Sequence, residues 1–242
     1  MVFLLGNYTV VQRGVIMHGK MIVIEGLDGS GKATQSQLIF DELKKNGKDV
    51  KKVSFPDYKS DSSALIKMYL NGEFGHDPGD VNAYAASSFY AVDRHASYKK
   101  DWASFYDNGG IIIADRYTTS NAIHQCSKLQ KEKWDEYLEW LFYYEYEQLG
   151  IPKPDMVVYL NVDTQVSQKL MTERYSGDET KKDIHEGDLE YLKRSSVAAD
   201  YCCKKLSWSR IECCSQGVIR SKADILGEIV DLPKFQEMFY KK

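Results

Sequence analysis

Gly26, Gly29 and Gly31, followed at once by Lys32, stand where a continuous apolar run (Ile22, Val23, Ile24) stops. Glycine admits backbone conformations that a Cβ forbids, so successive amide N–H groups can turn inward onto one anion. Lys32 adds a mobile positive charge, and a helix starting there points its positive end at the same place. The stretch Gly26, Leu27, Asp28, Gly29, Ser30, Gly31, Lys32, Ala33 and Thr34 therefore reads as a phosphate-binding P-loop. The hydroxyl residue that usually follows the lysine is missing, because Ala33 sits there and Thr34 comes one residue later. A plain glycine-rich turn would carry the same glycines. The buried strand before it and the amphipathic helix after it (Leu38, Ile39, Leu43) favour the cradle.

Two further constellations carry charge. Asp115-Arg116 ends a second apolar run, and Tyr90 and Arg94, four apart on a helix, bring an aromatic plate and a guanidinium into one space. In open parallel sheets ligands sit at the carboxyl ends of strands, so Asp115 and Lys32 are expected to be neighbours. This set suits transfer of a phosphoryl group between two bound anions, which needs charge neutralisation and alignment more than proton removal. No Ser-His-Asp or paired-carboxylate pattern is visible, and an ionised phosphate acceptor requires none. The polar stretch 175–187, with Lys181, Lys182, Asp183, His185 and Glu186, reads as a solvated loop or as a lid that carries cations over a phosphate chain.

The elements that must position these groups alternate. Strands are expected over 22–24, 50–55, 109–115, 156–162 and 208–214, with helices between them, which gives an α/β fold with a five-stranded parallel sheet flanked by helices. A long helix is expected from about Val81 to Tyr106, with Val81, Tyr84, Ala85, Ser88, Phe89 and Val92 as its buried stripe. An aromatic-rich helix follows over 131–149, another ends near Arg174, and Ser221-x-x-Asp224 opens a closing helix as a capping box.

The 242 residues fit a single domain over 21–242, with 1–20 read as an N-terminal extension or misassigned start. The net charge of −3 argues against broad attraction to nucleic acid, and no apolar run is long enough to cross a bilayer. Five cysteines without a C-x-x-C spacing read as reduced thiols in a cytoplasmic protein.

Glu25 to Lys32, Phe55-Pro56-Asp57-Tyr58, Tyr90-Ala91-Val92-Asp93-Arg94 and Asp115-Arg116-Tyr117-Thr118-Thr119-Ser120-Asn121-Ala122 together resemble the thymidylate kinase family of P-loop nucleoside monophosphate kinases. The resemblance covers roughly 21–230 and implies a P-loop NTPase fold with a short lid at about 175–187. It implies phosphorylation of dTMP to dTDP with Mg-ATP, in dTTP biosynthesis, and a homodimer. On matching positions, Lys32 and the loop amides hold ATP, Tyr90 stacks on thymine, Arg94 meets the base edge and Phe55 lines the pocket. Arg116 and Tyr58 hold the acceptor phosphate, Asn121 and Gln125 orient the nucleotide, and Asp115, Asp28 and Glu186 organise Mg2+. With no arginine in Asp28-Gly29-Ser30, Arg174, with Lys181 and Lys182, is left to supply transition-state charge. His124 replaces a tyrosine that many relatives use to sense the missing 2′-hydroxyl.

A deoxynucleoside kinase remains the nearest alternative, with Asp57 placed as its general base. A GTPase-like switch would need Asn-Lys-x-Asp, and Ser221-Lys222-Ala223-Asp224 lacks the asparagine.

Overall fold

Three apolar runs form the middle of the sheet because each is buried on both faces. In the computed structural model, which describes residues 18–174, 184–185 and 188–241, they are β1 (Lys20–Glu25), β3 (Ile111–Asp115) and β4 (Met156–Asn161). The edges are β2 (Val50–Ser54) and β5 (Ser209–Glu212), giving the order β2-β3-β1-β4-β5 with every neighbouring pair parallel. Lys51 and Lys52 on β2 mark it as an edge that discourages further pairing. The expected five parallel strands are thus present, and β1 begins one residue before the expected domain start.

Side chains alternate across the sheet. Ile22, Ile24, Ile113, Val158 and Leu160 face α1 (Lys32–Lys45), α9 (Lys222–Asp231) and α10 (Pro233–Phe239), meeting Ile39, Leu43, Ile229 and Phe235. Met21, Val23, Ile112 and Ala114 face the other way, onto Tyr98, Trp102 and Tyr106. Each fully buried isoleucine or valine contributes about 2 kcal/mol of hydrophobic stabilisation.

The connections are α2 (Ala64–Leu70), α3 (Ala83–Ser97), α4 (Ala103–Asp107), α5 (Thr118–Cys126), α6 (Trp134–Phe142), α7 (Thr164–Arg174) and α8 (Leu189–Lys205). The long helix expected over 81–106 is α3 and α4 joined by a wide π turn at Tyr98–Trp102. Its buried stripe differs from expectation. Ala83, Ala86, Ser87, Ala91, Arg94 and Ser97 face inward, whereas Tyr84 and Val92 are 37% and 52% exposed. Small residues let α3 approach its neighbours closely enough for Ser87 Oγ to meet the Tyr137 hydroxyl at 2.6 Å. The capping box holds, with Asp224 N–H donating to Ser221 Oγ at 3.1 Å.

All five cysteines are free. Among the described residues no helix is long and apolar enough to cross a membrane.

Candidate active site

The glycine-rich loop leaves β1 at its carboxyl end and enters α1. Gly29 has φ 78° and lies so close to α7 that a Cβ there would meet the Ser167 carbonyl oxygen at 2.6 Å. Gly31, at φ 83°, is the residue before the helix. Lys32 folds back and donates to the Leu27 carbonyl at 2.8 Å, with Asp28 Oδ1 4.0 Å away. Burial, and next the charge of Arg116, push its ammonium down to about 8. Asp115, paired in register with Ile24, contributes to the field at Lys32, so the two strand ends converge.

Arg116 is the hub. Its backbone takes φ 66° and is fixed by its N–H donating to the Ile24 carbonyl at 3.1 Å. Nη2 donates to Asp28 at 2.5 Å, Nη1 donates to Ser120 Oγ at 3.2 Å, and Glu25 Oε1 stands 3.6 Å from Nη1. Burial pushes the Asp28 carboxyl up, but Arg116 and then Lys32 outweigh it and hold that carboxyl below the usual range. Asp28 is thereby engaged by two cations. Glu25 is fully buried and also accepts from Thr119, Ser120 and the Gly26 amide.

A cavity of about 80 Å3 opens beside this hub. Phe55, Tyr58, Tyr90, Arg94, Arg116, Asn121 and Gln125, the expected acceptor residues, all line it, together with Asp28, Tyr117, His124 and His185. Arg94 is buried and doubly bonded to Glu145, at 2.7 Å from Nε and 2.5 Å from Nη2. Glu145 also accepts from Thr118 and Asn121. Neither amide atom of Gln125, which is fully buried, has a hydrogen-bond partner among the described residues. Asp57, by contrast, does not line the cavity: its carboxylate accepts from the Lys59 amide, and its own amide donates to Asp93.

A second cavity, of about 490 Å3, lies on the other side of the loop, lined by Gly29, Ser30, Gly31, Thr34, Gln35 and Leu170 and by the segment Ile219 to Lys222. The Arg174 backbone ends α7, but its side chain and Lys181, Lys182, Asp183 and Glu186 lie outside the described residues, as do 1–17.

Sequence reasoning missed Glu145. Its signal was present in the spacing: Glu145 follows the buried Leu138 and Leu141 of α6 by seven and four residues, into a π-helical turn at Tyr143–Gln148 where it is the buried residue, and a buried carboxylate calls for a cationic partner. His185 was read as part of a polar stretch, yet it is buried, accompanies His124 in the cavity wall and meets the Tyr69 hydroxyl at 2.8 Å. Burial and then Arg116 push His124 down to about 3, and burial and then His124 push His185 well below the ordinary histidine value.

A family model described as thymidylate kinase matches residues 24–207. The thymidylate kinase of Mycobacterium tuberculosis is 30% identical over 181 residues, covering 73% of this chain and 82% of that protein. The thymidylate kinase of Plasmodium falciparum is 31% identical over 171 residues, covering 69% and 75%. The solved thymidylate kinase of Candida albicans is similar in fold, with a TM-score of 0.67 at 20% identity, covering 92% of this chain and 94% of that one.

Two predictions concern the groups the cavity buries. Glu145→Leu leaves a buried guanidinium unpaired and is expected to cost about 3–5 kcal/mol in denaturant unfolding. Adding Arg94→Met should return part of that stability, and a double variant no better than the single one would refute the ion-pair account. The pH dependence follows from the histidines. The unfolded chain protonates each near pH 6.5, whereas the folded chain does not protonate His124 until about pH 3. Stability is therefore intact above about pH 6.5 and lost as the pH falls toward 3, His124 alone taking about 2 kcal/mol between pH 7 and pH 5. In His124→Gln the slope of unfolding free energy against pH in this window should drop by about one proton.

Proposed function

Because the chain belongs to the thymidylate kinase family, we propose that it transfers the terminal phosphoryl group of ATP to the 5′-phosphate of dTMP, giving dTDP and ADP. It is a nucleoside monophosphate kinase. The observation that carries the choice of reaction is the pair of cavities on opposite sides of one phosphate loop, the larger beside Gly31 and Thr34 and the smaller beside Asp28 and Arg116. The larger suits the donor nucleotide and the smaller the acceptor.

In this reading the loop amides and Lys32 hold the donor phosphates, while Arg116, with Tyr58 within its electrostatic reach, holds the acceptor phosphate in line. An acceptor oxygen attacks the γ-phosphorus as the bond to the β-phosphate oxygen breaks, and the electron pair leaves on ADP. The attacking oxygen is already an anion, so no proton has to be removed. Arg174 is proposed to supply charge as the γ-phosphoryl moves. Tyr90 stacks on the base, and Arg94, which can only donate, favours a pyrimidine that presents carbonyl oxygens. Gln125 and Asn121 complete the base contacts. A nucleoside acceptor is not favoured, since Asp57, the base expected for it, does not line the acceptor cavity and accepts from the Lys59 amide of its own loop.

The donor set also fits Mg2+, which takes one or two carboxylates together with phosphates and keeps several waters. Asp115, half-buried at the end of β3, is the carboxylate that would hold the ion or its water shell. No cluster of three or more metal-binding side chains occurs among the described residues. When bound, Mg2+ neutralises charge on the transferring phosphates.

The exposed face of α3, with Tyr84 and Val92, is proposed as a homodimer contact, and the free thiols suit the cytoplasm. Light scattering should give twice the chain mass, and Val92→Arg should yield a folded monomer. A wild-type monomer would remove this part of the reading.

The reaction is tested by coupled ADP release with Mg-ATP against dTMP, dUMP, thymidine, CMP and AMP. Turnover is expected with dTMP and not with thymidine, and the reverse would hand the chain to the nucleoside kinases. Lys32→Ala should lower kcat by a factor on the order of a thousand while the thermal midpoint stays within a few degrees. Arg174→Ala should lower kcat more than ATP affinity.

A further inference from the structure

Arg116 has two uncharged partners, both on α5. Arg116 precedes that helix, and Ser120 and His124 lie one turn apart on a single face of it. Nη1 donates to Ser120 Oγ at 3.2 Å and lies 3.3 Å from His124 Nε2. A guanidinium only donates, so the nitrogen facing it must be bare, and the single imidazole proton then resides on Nδ1. Nδ1 lies 3.3 Å from the Tyr191 hydroxyl, which can accept that proton's hydrogen bond. Two rings flank it on one side at small interplanar angles: His185 at a centroid distance of 5.9 Å and 13°, and Tyr191 at 6.0 Å and 20°, the two lying 4.6 Å from each other. His185 is fixed in turn by the Tyr69 hydroxyl, which accepts from Lys128 at 2.7 Å.

We propose that His124 is a positioning residue for Arg116, held as the uncharged Nδ1–H tautomer so that it immobilises the guanidinium without neutralising it. Counting hydrogens shows why this matters. Nη1 is committed to Ser120 and His124, and one Nη2 hydrogen to Asp28. Nε–H and the second Nη2 hydrogen have no partner among the described residues and remain available for an anion. A carboxylate at position 124 would anchor Arg116 more tightly but set a negative charge beside the incoming phosphate. A protonated imidazole would repel the guanidinium. A neutral acceptor does neither. The groups that face the ring favour neutrality: burial, Arg116, Lys32 and Lys128 oppose a further positive charge, and Asp28 acts in the other sense. The identity of the anion, the acceptor's 5′-phosphate, rests on the proposed function; the tautomer and its contact with Arg116 do not.

Two measurements decide the matter. In the full-length wild-type chain labelled with 15N at histidine, long-range 1H–15N spectra should show His124 as the Nδ1–H tautomer, with no titration between pH 5 and pH 8. A protonated Nε2, or a midpoint near 6.5, overturns the proposal whatever the enzyme phosphorylates. In steady-state kinetics, His124→Leu should raise the KM for dTMP about tenfold while the KM for ATP stays within about twofold, the loss of one hydrogen bond to a charged donor. His124→Gln, whose side-chain oxygen reaches the place of Nε2, should return to within about threefold of wild type. His124→Glu should be worse than His124→Leu, by about a further tenfold in KM for dTMP, because it adds charge. In an Arg116→Lys background, His124→Leu should add less than about twofold. Equal losses in the Leu and Gln variants, or full additivity with Arg116→Lys, overturn the positioning role. A wild type that ignores dTMP but shows the Nδ1–H tautomer would sink the proposed substrate and leave the His124–Arg116 contact standing.

Discussion

The whole site hangs on one arginine placed between anions at the junction of two central strands. Arg116 itself sits at φ 66°, a conformation that costs a non-glycine residue roughly 1–2 kcal/mol. It persists because β1 and β3 fix it from both sides: the Arg116 amide donates to Ile24, and the side chain lies among Glu25, Asp28, Ser120 and His124. Glu25 is the last residue of β1 and Asp28 the third residue beyond it, so the phosphate loop and the acceptor-side arginine are locked to one another before any ligand arrives. On the proposed function, the two anions that must meet in line are thereby given sites whose separation the sheet sets.

The second buried pair does a different job. Arg94 and Glu145 are almost wholly excluded from water, and an ion pair in that setting is weak evidence for stability because desolvating both charges offsets most of their attraction. Its use lies in orientation. With Glu145 gripping Nε and Nη2, and the Tyr117 carbonyl near Nη1 at 3.4 Å, the guanidinium plane is fixed in the cavity wall. Tyr90, one turn earlier on α3, then faces the same cavity from a helix that cannot rotate without breaking the pair.

Much of this was legible in the sequence, for a physical reason. Groups that bind phosphate need special backbone or fixed charge, so Gly29, Gly31, Lys32 and Arg116 announce themselves by type and spacing, and the apolar runs before them identify the strands that aim them. The inner face of α3 was less legible, because hydrophobicity was taken as the mark of burial. Close packing of α3 on α5 and α6 selects alanine and serine instead, and leaves Tyr84 and Val92 outside. Glu145 and His185 were illegible for a related reason. A buried polar residue looks like a surface one until its partner is known, and the partners, Arg94 and Tyr69, lie 51 and 116 positions away.

Gln125 shows what the resting cavity lacks. Its carboxamide is fully buried, yet neither its nitrogen nor its oxygen finds a partner among the described residues, a state that costs on the order of 1–3 kcal/mol for each unsatisfied group. Every other polar side chain traced around the acceptor cavity answers to a protein partner: Arg94 to Glu145, Asn121 to Glu145 and the Ser87 carbonyl, Arg116 to Asp28. A ligand that offers one donor and one acceptor side by side removes the penalty, whereas one that offers neither leaves it in place. An imide edge of a pyrimidine carries that pair, and an amide can present its oxygen and nitrogen in either order. On the proposed function, discrimination arises less from what Gln125 gains with the right base than from what stays unpaired with the wrong one.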